Sequence, residues 1–401
     1  MLNDNDRLSL ITFNHDSTKL CGLKKINNQN KVNIQKIVNS ISAIGGTNIT
    51  GGLQQAFSVL QSRKQTNHVS SIFLLSDGQD NGSDSKIRNL LQTTYQKLQE
   101  ECFTIHSFGF GDDHDGPLMQ KIVQIKDASF YYVERNDQVD QFFMDALGGL
   151  FSAIAQDVCI SIQINSQSKM FQKFFKNSYV SKTYGSMWKT VNKSQEYAIK
   201  INQIFSGVSK DFIFEITIPK SEIKDLQDCE RNLEVINVQL TAIPIDLELN
   251  SKVLKEYKLV LTLFTQYEKI SYDSEINQNV EFNYLRAKAA QSMEEAIQFA
   301  DRDQHQQRQA ILQDMLKNIE NSHHNNLEKL NIIKEDLIQC QQNISPQQNK
   351  LQGKYKAQQK CNNHFDKQSW AIRDSKDLYQ APKQKQMVSR LQKKKQNQQK
   401  K

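Results

Sequence analysis

The chain has 401 residues, enough for two or three domains, and 38% of them are hydrophobic, which is sufficient for packed cores. Its mean hydropathy of −0.64, with no apolar run approaching roughly 18 residues, argues against a membrane-spanning helix. The first residues, MLNDNDRLSL, are too polar for a secretory signal peptide, so we expect a cytoplasmic protein.

The cysteine pattern favours reduced thiols rather than a zinc module. The chain has six cysteines and no C-x-x-C pair, which argues against a zinc ribbon or a RING domain within these residues. The cysteines are Cys21, Cys102, Cys159, Cys229, Cys340 and Cys361.

Positive charge is concentrated at the carboxyl end. The formal net charge is +7, but eight of the 51 lysines and arginines, and no aspartate or glutamate, lie between Lys383 and Lys401. The rest of the chain is therefore close to neutral. Such a tail is most simply a solvated, disordered end, with binding to nucleic acid, an acidic partner or anionic lipid as the alternative. We expect no specific nucleic acid and no membrane among the main partners.

The first third of the chain alternates apolar strands with helices. Strands rich in Ile, Leu and Phe that are separated by helices are typical of a mainly parallel sheet buried on both faces. The predicted elements, in chain order, are strand Arg7–Phe13, helices Val32–Ile44 and Gly52–Ser62, strand Ser71–Ser76, a polar helix around Lys86–Glu101, strand Phe103–Phe110, strand Ala128–Glu134 and an amphipathic helix Gln138–Val158.

Two residues with oxygen-bearing side chains are expected at one edge of this sheet. Asp77 directly follows an apolar strand, and Thr47 lies in the glycine-bearing loop Ile44–Gly52. Ligands of such sheets bind beyond the carboxyl ends of the strands, where these loops converge. A hydroxyl and a carboxylate suit Mg²⁺, which prefers oxygen ligands. The alternative is that Thr47 caps the helix beginning near Asn48 and that Asp77 merely shapes a turn.

The other acidic residues near this edge are interpreted as structural. Asp80 and Asp84 are expected to be solvated on the same loop. The cluster Asp112–Asp115, which includes His114, precedes Gly-Pro and favours a helix cap over a metal site or an acid/base pair. His106 is expected to be packed or exposed rather than reactive. Because no catalytic constellation or phosphate-binding motif is present, the sequence leans against an enzyme.

The middle of the chain changes to alternating strands. In DFIFEITI, Phe212, Phe214 and Ile216 fall on one face, and EVINVQLTA alternates in the same way. Together with VCISIQI, EYAIKI and YKLVLTLF, these runs predict an antiparallel β-sandwich-like domain over residues 159–266. It carries no cluster of acids, bases or metal ligands, so its expected role is structural.

The last part of the chain is predicted to be helical and then disordered. Apolar residues recur every three or four positions in three stretches, which predicts a helical hairpin or short bundle over residues 275–345. Residues 346–401 are expected to be a linker and a basic tail rich in Gln and Lys.

Four blocks of the first third, DRLSLITFN, GGTNITGGL, SIFLLSDGQDN and HSFGFGDDHD, resemble the von Willebrand factor A (vWA) domain in their order and distances. The resemblance covers roughly Asp4 to Val158 and implies an α/β fold with a doubly wound, mostly parallel sheet, assigned here to residues 1–158. In that family a metal-ion-dependent adhesion site combines a D-x-S-x-S turn after the first strand, a threonine in the GGTN loop and an aspartate in the DG turn. The last two match Thr47 and Asp77.

The chain departs from the family at its amino end. It contains no D-x-S-x-S, and Met1 falls where the family has already passed its first strand and first helix. The resemblance then implies an incomplete metal site with poor Mg²⁺ binding. It also implies unpaired edges on the strands Arg7–Phe13 and Ser71–Ser76, because the family's first strand is central in the sheet. We expect a truncated gene model, with a degenerate domain or a strand supplied in trans as the alternatives.

The order of the segments along the whole chain is similar to the WAVY GROWTH 3-like family of RING-H2/vWA ubiquitin ligases, from Asp4 to about Arg390. It is carried by the vWA blocks, the β domain, the helix NYLRAKAAQSMEEA and the late YQAPKQKQMVSR. In that family the ligase activity belongs to an N-terminal RING, which would lie upstream of Met1. Two hypotheses follow: a vWA interaction module for protein partners, or the part of a ubiquitin ligase that recruits ubiquitination substrates.

Overall fold

Two compact units, Met1–Ala146 and Leu147–Lys401, make up the chain in a computed structural model. The structure describes residues 2–80, 103–111, 113–125, 130–135, 138–165, 177–185, 187–192, 196–217, 232–245, 253–262, 276–343, 350–366 and 386–390, with short pieces at 85–86, 89–90, 93 and 393. Within these ranges, no helix combines the length and the apolar character needed to cross a membrane.

The first unit alternates strands and helices, as its apolar runs predict. Its elements are β1 (Arg7–Phe13), β2 (Ser17–Lys25), α1 (Asn28–Asn39), α2 (Ile49–Gln61), β3 (Ser71–Ser76), β4 (Thr104–Phe110), α3 (Gly116–Ile125), β5 (Phe130–Val133) and α4 (Val139–Leu150), the last of which extends past the end of the unit. The polar helix expected around Lys86–Glu101 lies largely outside the described residues.

A three-stranded parallel sheet, in the order β3-β4-β5, holds most of the aromatic core of this unit. Phe108 of β4 is fully buried, stacks on Tyr131 of β5 at 4.8 Å between ring centroids, and stacks on Phe143 of α4 at 4.6 Å. Stacked aromatic pairs of this kind stabilise a core beyond their buried area. The parallel strands and the buried aromatic core confirm the predicted α/β fold class.

Strands β1 and β2 form a separate antiparallel hairpin. The sequence pattern does not predict β2, because STKLCGLKK carries three lysines and exposes most of its side chains. No hydrogen-bonded ladder joins β1 to β3, both of which are fully described. Among the described residues, no strand pairs with the other edge of β1 or with the edge of β3 opposite β4.

The helix predicted over Gln138–Val158 is wrong beyond Leu150. Helix α4 ends at Leu150, and strand β6 (Ala153–Ile164) begins after a two-residue turn in which Ser152 donates its backbone N–H to the carbonyl of Gly149. Two successive glycines at the end of the helix weaken it, since glycine has a low helix propensity. The apolar residues that follow alternate, and β6 pairs with a strand on each side.

The described residues of the second unit form two antiparallel sheets. They are built from β6, β7 (Tyr179–Thr183), β8 (Trp188–Asn192), β9 (Glu196–Phe205), β10 (Phe214–Thr217), β11 (Asn232–Pro244) and β12 (Val253–Thr262). The large sheet has the order β12-β11-β6-β9-β8, and the small one pairs β10 with β7. Ile162 and Ile236 of the large sheet share a core with Val180 and Phe214 of the small one, which confirms the β-sandwich-like prediction.

Four helices share a second core in this unit. They are α5 (Gln278–Asp301), α6 (His305–Glu320), α7 (Glu328–Asn343) and α8 (Lys350–Asp366). The predicted stripe of Leu285, Ala289, Met293 and Ala296 on α5 is buried in this core. Helix α8 lies in the segment expected to be a linker and tail, and its Ala357 and Cys361 are fully buried in the same core.

A candidate metal and partner-binding edge

Asp77 and Gly78 form the turn that directly follows β3. The Asp77 side chain is exposed, and the buried hydroxyl of Ser76 accepts a hydrogen bond from the backbone N–H of Gly78 at 3.4 Å. The Asp77 carboxylate therefore lies at the carboxyl edge of the parallel sheet, where the sequence predicts a ligand.

Thr47 packs directly against this turn. A Cβ atom added to Gly78 would collide with Oγ1 of Thr47, so only glycine allows so close an approach. Thr47 is half-buried, and among the described residues no hydrogen bond involves its hydroxyl. The structure thus brings the threonine of one loop against the aspartate-bearing turn of another.

The capping alternative for Thr47 is wrong, because Asn48 is the N-cap of α2. The Asn48 side-chain oxygen accepts a hydrogen bond from the backbone N–H of Gly51 at 2.8 Å. Asparagine is a strong N-cap residue, since its short side chain satisfies a free N–H group of the first helical turn. The Thr47 hydroxyl is consequently not used for capping.

The loop that carries Thr47 is anchored at two further points. His15, in the turn between β1 and β2, accepts a hydrogen bond on Nε2 from the backbone N–H of Gly46 at 3.1 Å, and its carbonyl accepts one from the Asn48 amide at 3.0 Å. Asp80 accepts hydrogen bonds from the backbone N–H and the hydroxyl of Thr50, both at 3.4 Å. The expectation that Asp80 is simply solvated is wrong, because it tethers its loop to the first turn of α2.

Sequence reasoning missed the roles of Asn48 and His15. Asn48 could have been found, because an asparagine directly before an apolar helical run is an N-cap signal. His15 could not have been found, since its contacts join parts of the chain more than 30 residues apart.

Asn48→Ala should destabilise the first unit by about 1–2 kcal/mol, because it removes both the cap of α2 and the tether to His15. Asn27→Ala is a matched control, since Asn27 caps α1 in the same way but α1 buries no residue. Urea unfolding followed by far-UV circular dichroism would compare the two variants. An equal effect of the two substitutions would contradict a special role for Asn48.

The described residues of the cluster Asp112–Asp115 have separate structural roles. Asp115 accepts a hydrogen bond from the backbone N–H of Leu118 at 3.1 Å, which confirms the predicted cap of α3. His114 is 1% exposed, and its Nδ1 lies 2.7 Å from the carbonyl oxygen of Gly111. Asp113 is exposed, and Asp112 and Asp84 lie outside the described residues. Over the parts of the chain that are described, no group of three or more His, Cys, Asp or Glu residues could hold a metal ion.

The chemistry of Thr47 and Asp77 fits a hard cation in part. A hydroxyl oxygen outside the capping network and an exposed carboxylate are both ligand types that Mg²⁺ accepts. They supply two of the roughly six oxygens that this ion requires, so water or further groups must supply the others.

Comparison with known proteins identifies the class of the first unit. Residues 1–145 match the family model of the von Willebrand factor type A domain. A structure of a von Willebrand factor type A protein from Catenulispora acidiphila aligns with a TM-score of 0.62 and 14% identity over 84% of this chain and 74% of that one, which shows the fold alone. The chain carries a vWA domain.

Two relatives from Arabidopsis thaliana extend this result. E3 ubiquitin-protein ligase WAV3 is 24% identical over 229 residues, which are 55% of this chain and 27% of the relative. Probable E3 ubiquitin-protein ligase WAVH2 is 22% identical over 237 residues, which are 55% of this chain and 29% of the relative. The chain is related to the WAVY GROWTH 3-like proteins, and its match spans less than a third of their length.

Proposed function

We propose that the vWA domain binds a protein partner at the carboxyl edge of its sheet, with Thr47 and Asp77 contributing to a Mg²⁺ site. The observation that carries this proposal is the contact of Thr47 with the Asp77–Gly78 turn, together with the assignment of capping to Asn48. Two protein oxygens hold Mg²⁺ weakly, so an acidic group of the partner would complete the coordination shell. A cytoplasmic location and a division into domains at 1–158, 159–266 and 275–345 are part of this proposal, with helix α8 of the segment 346–401 joining the helical core.

Asp77→Ala should weaken divalent-metal binding by about tenfold or more, because it removes the only carboxylate of the proposed pair. Mn²⁺ would serve as the probe, with free ion measured by electron paramagnetic resonance during titration of the chain. Thr47→Ala should act in the same direction. Asp113→Ala is the matched control, since Asp113 is also an exposed carboxylate, located just after the neighbouring strand β4.

The partner-binding part of the proposal is tested separately. Proteins that bind to the immobilised chain would be quantified in MgCl₂ and in EDTA, for the natural chain and for Asp77→Ala. A set of proteins lost both in EDTA and in the variant is expected. Retention of the same proteins in EDTA would exclude a metal at this interface.

A second candidate function is recruitment of substrates for a RING-type ubiquitin ligase. The relation to WAV3 and WAVH2 favours it, since both are named as ligases and the matched part is a minor share of each. The chain fused to an active RING domain should then direct ubiquitin to the proteins it binds in MgCl₂. If the fusion modifies none of them beyond the level of the RING domain alone, the recruiting role is excluded.

A further inference from the structure

A cavity of about 190 Å³ lies within the second unit, where strand β7 meets the helices α5 and α6. Its apolar lining comes from α6 and consists of the half-buried Ile311 and the buried Met315. The cavity is smaller than the roughly 300–1,000 Å³ of pockets that enclose a whole small molecule. It is therefore suited to one or two side chains of a binding partner.

Charged side chains of both signs line this cavity. Lys182 of β7 and Lys288 of α5 supply positive charges, and both are half-buried. Glu295 of α5 and Asp314 of α6 supply negative charges. Among the described residues, neither lysine forms an ion pair with a carboxylate. The cavity thus holds opposite charges that do not neutralise one another.

A pair of tyrosines holds the two lysines in one region of the cavity. The Nζ atom of Lys182 lies 4.7 Å from the centroid of the Tyr184 ring, and that of Lys288 lies 4.6 Å from the centroid of the Tyr284 ring. The two rings meet edge to face, with their centroids 6.0 Å apart. An aromatic face attracts an ammonium group but leaves its charge in place. Both lysines therefore remain able to bind an anion.

The carboxylates lie further along the two helices. Because only three residues join α5 to α6, the helices are antiparallel, and Lys288 and Asn318 line the cavity at the same level. Glu295 follows Lys288 by seven positions, which is two helical turns and about 10 Å along the axis. The Gln291 amide donates a hydrogen bond to Glu295 at 2.6 Å and fixes its position. Asp314 lies four positions before Asn318, so it is also displaced towards Glu295.

We propose that this cavity binds a short extended segment of a partner protein that carries an acidic and a basic residue three positions apart. The acidic side chain would lie between Lys182 and Lys288, and the basic one would face Glu295 and Asp314. An extended chain advances about 3.3 Å per residue, so three positions match the distance of about 10 Å between the two charged ends. The apolar lining from α6 would contact the methylene groups of both side chains.

This inference goes beyond the proposed function, because it places a second protein contact in the other unit and needs no cation. Peptide binding should persist in EDTA and in the Asp77→Ala variant, whereas the proposed metal-dependent interaction should not. Failure of either proposal therefore leaves the other open to its own test.

The test uses the whole chain labelled with ¹³C at the methyl groups of its eight methionines. The Met315 signal, assigned from a Met315→Leu variant, reports on the cavity by NMR. The probe is a peptide of eight residues with glutamate at its third position, arginine at its sixth, and glycine and serine elsewhere. Titration to millimolar peptide should shift the Met315 signal in a saturable way. The signal of Met293, which is fully buried and does not line the cavity, should stay in place.

Lys182→Gln and Lys288→Gln should each weaken peptide binding by about fivefold, because each removes one of the two charges that face the acidic residue. Lys329→Gln is the matched control. The Nζ atom of Lys329 also lies over an aromatic ring, 5.7 Å from the centroid of Phe282, but Lys329 does not line the cavity. The control variant should bind the peptide as the natural chain does.

Three results would overturn the proposal: no shift of the Met315 signal, an equal shift with a peptide whose two charged residues are replaced by serine, or equal weakening by Lys329→Gln and Lys288→Gln. Sodium acetate at the same concentration provides a further control. If acetate alone reproduces the shift, the cavity binds simple anions and the peptide proposal is wrong. A peptide with its glutamate and arginine adjacent should bind more weakly, and equal binding would contradict the spacing.

Discussion

Asp336→Asn is expected to destabilise the helical core of the second unit by about 3–5 kcal/mol, because it leaves a buried lysine without its counter-ion. Lys360 of α8, only 3% exposed, lies 2.6 Å from one carboxylate oxygen of Asp336 on α7. His364, 2% exposed, lies 2.9 Å from the other. The amide of Gln339 is a further partner of the Lys360 ammonium.

The same substitution should change the response to acid. Burial raises the pKa of the Asp336 carboxyl, but the hydrogen bonds and positive charges of His364 and Lys360 outweigh burial and leave that pKa below its usual value. A carboxyl whose pKa is lowered by folding stabilises the protein above its unfolded pKa, and this contribution is lost as the pH falls through the folded pKa. Below about pH 4 the natural chain should therefore lose this stabilisation. The Asp336→Asn variant lacks the carboxyl, so its stability should change less over the same range.

An exposed ion pair that also joins α8 to another helix provides the control. Lys354 of α8 lies 2.7 Å from Asp301 of α5, with side-chain exposures of 28% and 50%. Asp301→Asn should cost about 1 kcal/mol or less, because solvent screens an exposed pair. Both tryptophans lie in the second unit, so fluorescence during urea unfolding reports on it. Equal costs for the two substitutions would contradict a structural role of the buried network.

His106→Leu is expected to remove a large acid sensitivity from the first unit. His106 is 5% exposed in β4, its ring lies beside Phe73 and Tyr131, and neither ring nitrogen has a hydrogen-bond partner among the described residues. Burial lowers the pKa of His106 from 6.5 to about 3. The sequence left open whether His106 is packed or exposed, and the structure shows that it is packed.

The direction of the effect follows from the two pKa values. Between about pH 6.5 and pH 3 the unfolded chain binds a proton on His106 that the folded chain does not, so stability falls as the pH is lowered through this window. Each pKa unit is worth about 1.4 kcal/mol, so the loss of stability approaches about 5 kcal/mol at the acid end of this window. Above pH 6.5 the leucine variant should be about 1 kcal/mol more stable, because an unsatisfied buried polar group is removed.

Hydrogen exchange of the β4 amides between pH 4 and pH 7 would measure this effect in the first unit alone, after correction for the intrinsic exchange rate. His68→Leu is the control, because His68 is exposed in the segment before β3. The stability of the His68→Leu variant should match that of the natural chain at every pH. If His106→Leu keeps the full acid sensitivity, another group is responsible.

The strongest patterns in the sequence predicted elements correctly. Strands β1, β3, β4 and β5 follow apolar runs with few charges, and α5 follows its regular stripe of small apolar residues. The apolar side chains of the central strand β4 are buried because helices pack on the sheet, as α3 packs on β4 and Phe143 of α4 stacks on Phe108. In these segments local preference and tertiary burial agree, so one sequence pattern was enough.

Helix α8 shows where sequence patterns were insufficient. Its sequence, KLQGKYKAQQKCNNHFD, is mostly polar, and its buried face includes Lys360 and His364 as well as Ala357 and Cys361. A polar helix is recognised as part of a core only when its partners are known, because burial of a lysine depends on the carboxylate that meets it. Asp336 lies on another helix, 24 positions away.

The candidate edge, too, was predicted only in part from the sequence. The glycine-bearing loop and the DG turn suggested that Thr47 and Asp77 lie at one edge, and the packing of Thr47 against Gly78 places them there. Whether they bind a metal stays a prediction. That Asn48 rather than Thr47 caps α2 could also have been predicted, because an asparagine directly before an apolar helical run is an N-cap signal.

The sequence by itself determined the class of fold, the vWA resemblance and the identity of the two oxygen-bearing residues, because these depend on local patterns of apolar and turn residues. Only the tertiary structure decided that His15 and Asp80 anchor the edge and that α8 belongs to a core. These features depend on contacts between distant parts of the chain, whose free energy comes from burial and pairing rather than from local preference.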